Sequence, residues 1–183
     1  MRTRTWPLLW LTVTASGLAA QAETSPLDTA PRPVLTPGQH AYQTGLRTVG
    51  RGIAQLKTGV SRVANAEGAR DTVMLRQAGQ RLAALCRAAS GFMASGRPQM
   101  RPFAFDPPIR ESAQALRVRV DSVNAYLADC TRLAPRHPGT VKEVLVKRLT
   151  SYETALAEYR LALVTPVVQQ VDSTRDTTKT PRH

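Results

Sequence analysis

The sequence predicts an all-α protein, an up-down four-helix bundle with a long second connection. Three observations lead there. Four stretches space their apolar residues three and four apart, as helices packed at a shallow angle do. Each stretch opens on a capping residue, a proline, or both, the usual signals of a helix start. No stretch of the 183 residues shows the Val/Ile/Thr alternation of a half-buried strand.

Ahead of the first helix the chain reads MRTRTWPLLWLTVTASGLAAQAETSP. Arg2 and Arg4 form a short basic region, Trp6 to Val13 supply most of an apolar one, and Gly17 breaks it. Ala20-Gln21-Ala22 is the small-x-small pattern that a signal peptidase cuts after, so residues 1–22 are expected to be a cleaved signal peptide. The alternative is an uncleaved anchor, but the apolar run has only about half of the ~20 residues needed to span a bilayer. No cysteine follows the cut, which argues against a lipoprotein, and no later segment is apolar enough to cross a membrane. A periplasmic or secreted protein is expected. Starting at Glu23, it carries 23 basic against 13 acidic residues, a net charge of +10, and neither Trp6 nor Trp10.

Residues 23–36, ETSPLDTAPRPVLT, read as a Pro-rich extended linker, and the bundle is expected over 37–170. In the first helix Tyr42, Leu46, Val49, Ile53, Leu56, Val60 and Val63 form one seam, with Thr36 as N-cap, Pro37 in first position and Gln39 closing a capping box. Gly68 is its expected stop. The second seam runs Leu75, Ala78, Leu82, Leu85, Ala89 and Phe92, between Asp71 as cap and Gly96. The third runs Ile109, Ala113, Leu116, Val120, Val123, Leu127 and Cys130, opened by Asp106 and Pro107. Thr140 and Glu143 read as a capping box for the fourth, whose seam is Leu145, Leu149, Tyr152, Leu156, Tyr159 and Leu163 before a break at Pro166. Residues 171–183 are a polar tail with no reason to fold.

The two cysteines, Cys86 and Cys130, are expected to pair, as cysteines of exported proteins usually do. Catalytic use would call for a CxxC mate or a histidine close by in sequence, and Cys86 has neither. A disulfide between two chains is the alternative. Helix geometry attaches a condition to a bond within one chain. In a hairpin with level ends the two residues would miss by about 18 Å at 1.5 Å per residue. The third helix must therefore overhang the second, with RPQMRPFAFD climbing alongside it.

No cofactor, metal site or catalytic residue is expected. There is no CxxCH haem attachment, no inward Glu-x-x-His pair and no Gly-rich phosphate loop. His40, His137 and His183 all lie outside the seams, and no acid occurs between Asp71 and Asp106. An enzyme is not expected. Charge is what remains. Residues 40–100 hold nine basic groups and two acids, residues 101–164 ten and seven. The first hairpin is therefore a candidate anion-binding surface, built from Arg47, Arg51, Lys57, Arg62, Arg76, Arg81 and Arg87, all off the seams. Its expected partner is an anionic cell-envelope polymer or an acidic protein. Sequence-specific nucleic-acid binding is not expected, because the tyrosines lie on or next to seams and leave no base-stacking platform. Arginine outnumbers lysine 21 to 4, which suits bidentate contacts, although codon bias in a GC-rich genome would give the same excess.

Two further sets stand out. Gly45, Gly52 and Gly59 recur once per heptad beside the first seam. Each costs about 1 kcal/mol of helix propensity against alanine, so the row implies a close helix contact. That contact is either inside the bundle or with a second copy. The second possibility makes the alternative function a structural or assembly protein that homodimerises through this face. Met100, Phe103 and Phe105 in the long connection either dock a partner or membrane surface, or cap the open end of the bundle.

Overall fold

A computed structural model describes residues 35–164. The expected signal peptide with its cut after Ala22, the linker up to residue 34, the break at Pro166, residues 165–170 and the polar tail 171–183 lie outside the described residues. Within them the fold is all-α. Four helices, α1 (Pro37–Gly68), α2 (Thr72–Gly96), α3 (Pro107–Leu133) and α4 (Pro138–Val164), form a bundle, with no strand among the described residues. Two short 3-10 turns, Arg97–Gln99 and Pro102–Ala104, occupy the second connection.

Three of the four helices begin on proline, whose missing N–H costs nothing in the first turn. The capping box of α1 forms as the sequence implies: the Gln39 amide donates to Thr36 Oγ1 at 3.3 Å and the Thr36 amide to Gln39 Oε1 at 3.0 Å. Asp71 caps α2 through the amides of Val73 and Met74. Two expected caps do not form. Asp106 occupies the N-cap position of α3 but its side chain accepts no capping hydrogen bond. Pro107 and Pro108 fill the first two helical positions, so of the N2 and N3 amides that such a side chain can bind only that of Ile109 is present. The proposed box of Thr140 and Glu143 fails because α4 starts earlier, at Pro138, which leaves Thr140 inside the first turn.

The contacts between helices fall in one direction along one partner and the other direction along the next. Gly45, Gly52 and Gly59 of α1 face Gly96, Ala89 and Leu82 of α2. Cys86 of α2 is bonded to Cys130 of α3, and Arg97, just past the end of α2, reaches Asp121 of α3. Arg148 of α4 donates to the Ser122 carbonyl of α3. Lys57 of α1 pairs with Glu153 of α4, and Glu67 with Lys142. Each of these helix pairs is thus antiparallel.

The core is continuous through all four helices. Every residue of the third seam is buried except Ile109, which is half-buried. The second seam is displaced: Leu75, Leu85 and Phe92 are half-buried, whereas Gly79, Cys86, Met93 and Gly96 are fully buried. Leu163 at the end of the fourth seam is 37% exposed.

The disulfide joins Cys86 and Cys130 with their Cα atoms 6.1 Å apart. The overhang it demands is present. Asp121, level with the end of α2, comes 14 residues after Pro107, so about 20 Å of α3 projects beyond α2. The connection 97–106 fills the corner that α2 vacates. Arg117 holds it there, donating to the carbonyls of Arg97 and Met100 and pairing with Asp121 at 3.2 Å. Phe105 then packs into an aromatic cluster with Tyr42 and Tyr159, ring centroids 5.1 and 5.8 Å away. Tyr42 crosses the bundle to donate to the Ala113 carbonyl at 2.8 Å.

Candidate anion-binding surface

All seven predicted cations, Arg47, Arg51, Lys57, Arg62, Arg76, Arg81 and Arg87, are exposed. Four of them border two grooves. Arg62 and Arg81 flank a shallow groove between α1 and α2, near the turn that joins them. Arg47 and Lys57 flank a second groove, between α1 and α4. Arg51, Arg76 and Arg87 line neither groove.

The ion pairs separate these cations from those of the second half. In α1 and α2 only Lys57 has a carboxylate partner, Glu153. The other six, together with Arg70 in the α1–α2 turn, pair with no acid among the described residues. Of the two carboxylates of this hairpin Glu67 is paired with Lys142, which leaves Asp71, the N-cap of α2, to offset them. In the second half Arg117, Arg132 and Lys142 are ion-paired, Arg110 donates to the Phe105 carbonyl, and Arg148 donates to Ser122 while lying 5.2 Å from the Tyr126 ring centre. Five cations there have no such partner among the described residues (Arg101, Arg119, Arg136, Lys147 and Arg160), and neither do four acids, Asp106, Glu111, Glu143 and Glu158. Net charge is therefore +7 over residues 40–100, nine basic against two acidic, and +3 over residues 101–164, ten against seven.

The glycine row is not a free face. A Cβ on Gly45 would lie 2.6 Å from the Gly96 carbonyl oxygen, one on Gly52 3.1 Å from Phe92 Cβ, and one on Gly59 2.7 Å from Leu82 Cδ1. All three glycines are buried, covered by α2 of the same chain. Homodimerisation through this row would first require α2 to leave, so that role is corrected to an internal contact.

Of the three connection residues, Met100 is 0% and Phe105 2% exposed, and both belong to the core. Their role as docking contacts is likewise corrected: they close the end of the bundle. Phe103 alone is out, at 81% exposure, with the Arg110 guanidinium 5.7 Å from its ring centre.

Sequence inspection missed Arg70 and Arg160. Arg70 sits in the turn in a left-handed conformation, φ 55°, and no pattern marks it as exposed. Arg160 lies on α4 but lines the α1–α4 groove with Arg47. Burial raises the Tyr152 hydroxyl above its ordinary pKa, opposed by the nearby positive charge of Arg160.

Among the described residues no three His, Cys, Asp or Glu side chains come together as metal ligands, and no helix is long and apolar enough to cross a membrane. Comparisons of the chain with protein-family models, with curated proteins and with solved structures return no match.

Proposed function

We propose that this is an exported, non-enzymatic helical bundle whose first hairpin binds an anionic component of the cell envelope. An acidic protein is the other partner of the same chemistry. The observation that carries this is the seven arginines of the first hairpin, Arg47 to Arg87, which pair with no acid among the described residues and share their hairpin with one unpaired carboxylate, Asp71. A surface of that kind attracts polyanions, and its guanidiniums are free to form bidentate contacts with phosphate or carboxylate. Export rests on the signal-like residues 1–22 and is consistent with the Cys86–Cys130 bond.

Charge reversal tests the surface. Arg51→Glu, Arg62→Glu and Arg81→Glu together should abolish retention on heparin at physiological salt. Reversal of Arg119, Arg136 and Lys147, exposed in the second half, should shift elution only slightly. Equal shifts would show that net charge alone governs binding and would end the assignment to the first hairpin.

A further inference from the structure

The groove between α1 and α4 has a built character that the general basic surface lacks. Its volume is about 330 Å³, at the lower end of the range for small-molecule sites. Leu46, Ile53 and Leu156 make its floor apolar. Tyr152 also lines it, is only 3% exposed, and its hydroxyl has no hydrogen-bond partner among the described residues. Gly50 lies in the same groove, and unlike Gly45, Gly52 and Gly59 it touches nothing: a Cβ there would meet no atom within 4 Å. A glycine in mid-helix weakens the helix, and no close contact among the described residues accounts for this one. A larger residue here would project into the groove.

The two ends of the groove differ in charge. At one end Lys57 is tied to Glu153. At the other, Arg47 and Arg160 both line the groove and neither has an acidic partner among the described residues. The antiparallel register of α1 and α4 sets them level: Lys57 faces Glu153 ten residues along α1, and Tyr42 packs on Tyr159 five residues back. Ten residues of helix make the groove about 15 Å long from the free guanidiniums to the closed end.

We propose that this groove binds a single-chain amphiphile, its anionic oxygen head between Arg47 and Arg160 and its hydrocarbon chain along Leu46, Gly50, Ile53 and Leu156. The volume admits one chain, not two. Two guanidiniums give a carboxylate or phosphate head charge-assisted hydrogen bonds. The proposal goes beyond the polyanion function and does not rest on it.

The test uses the protein purified from its host, titrated by calorimetry with laurate and with dodecyl phosphate below their micellar concentrations. Dodecanol, inorganic phosphate and heparin are the control ligands. One of the two amphiphiles should bind at one per chain, and whichever binds more tightly identifies the head group. Gly50→Leu fills the groove without changing charge and gains helix propensity, so it should fold. It should weaken amphiphile binding about tenfold or more, as should Arg160→Gln through loss of a charge-assisted contact. Heparin binding should be unaffected by Gly50→Leu, which separates this site from the polyanion surface. Undiminished amphiphile binding in Gly50→Leu would overturn the proposal. So would dodecanol binding as tightly as dodecyl phosphate, inorganic phosphate matching it, or neither amphiphile binding.

Discussion

The two hairpins of this bundle are built on opposite plans. α1 and α2 meet through small residues, Gly45 on Gly96 and Gly52 on Ala89, close enough that an added methyl group strikes backbone. Their arginines are exposed and pair with no acid among the described residues. α3 and α4 carry larger residues and tie themselves with polar groups, Arg148 reaching Ser122 and covering the Tyr126 ring. The difference separates two uses of arginine. In the second half arginine is largely a structural donor, most clearly Arg117, which fixes the connection by two carbonyls and a carboxylate. In the first, close packing of the backbones makes such ties unnecessary, and the guanidiniums remain available to a partner.

The largest expected effect sharpens the comparison at the place where the hairpins join. Cys86 belongs to one and Cys130 to the other. Replacing both by serine should lower the unfolding free energy by about 4 kcal/mol, from the chain-entropy cost of a loop of this length. Denaturant unfolding would measure it, and heparin retention of the folded variant should be unchanged. A variant as stable as the parent would mean that the hairpins hold together by packing alone.

A smaller effect tests the close contact itself. Gly45→Ala places a methyl 2.6 Å from the Gly96 carbonyl oxygen, so one helix must move, which should cost about 1–3 kcal/mol as overpacking. Gly50→Ala, on the open side of the same helix, should instead stabilise by up to about 1 kcal/mol through helix propensity. If thermal melts move in the same direction for both, the glycine row is not the basis of the first hairpin.

The smallest effect concerns the aromatic cluster, where both plans meet. Tyr42 donates to Ala113, but the buried Tyr159 hydroxyl has no partner among the described residues. Tyr42→Phe should cost about 1 kcal/mol, and Tyr159→Phe should be neutral or slightly stabilising. The pH dependence follows from the same burial. It raises the Tyr159 hydroxyl to about 12, and that of Tyr42 further still, where the charge of Tyr159 adds to burial. Unfolded tyrosine titrates near 10. The native state therefore keeps protons that the unfolded state loses, so stability is complete below pH 10 and falls as pH rises through about 12. Tyr159→Phe should lessen that alkaline loss in a pH series of melts.

Much of the fold was legible in the sequence because its signals are local. Thr36, Gln39 and Asp71 act within one turn of their own positions, and the third seam repeats apolar residues without interruption. What failed depended on something a pattern of large apolar residues omits. The face of α2 toward α3 is made of Gly79, Cys86 and Met93, residues that a search for Leu and Phe passes over. Thr140 looked like a cap because its hydroxyl and Glu143 fit a motif, yet Pro138 had already started the helix. The candidate surface was legible as a set of exposed cations but not as a geometry. Whether a lysine is free depends on partners such as Glu153, 96 residues away from Lys57. For the same reason Arg160 could not be grouped with Arg47 until α1 and α4 were seen side by side.

The contact between α1 and α2 has one more consequence. Glycines recur every seven positions on α1, but the residues facing them grow along the pair, Gly96 at Gly45, Ala89 at Gly52 and Leu82 at Gly59. Sliding one helix by a heptad, about 10 Å at 1.5 Å per residue, would set Gly45 against Ala89 and Gly52 against Leu82, a larger residue at each step. The interface thus chooses its own alignment by its taper, and the three-residue turn of Ala69, Arg70 and Asp71 enforces the same one. Lengthening that turn by seven residues should therefore leave the pairing of the two helices, and closure of the Cys86–Cys130 bond, unchanged.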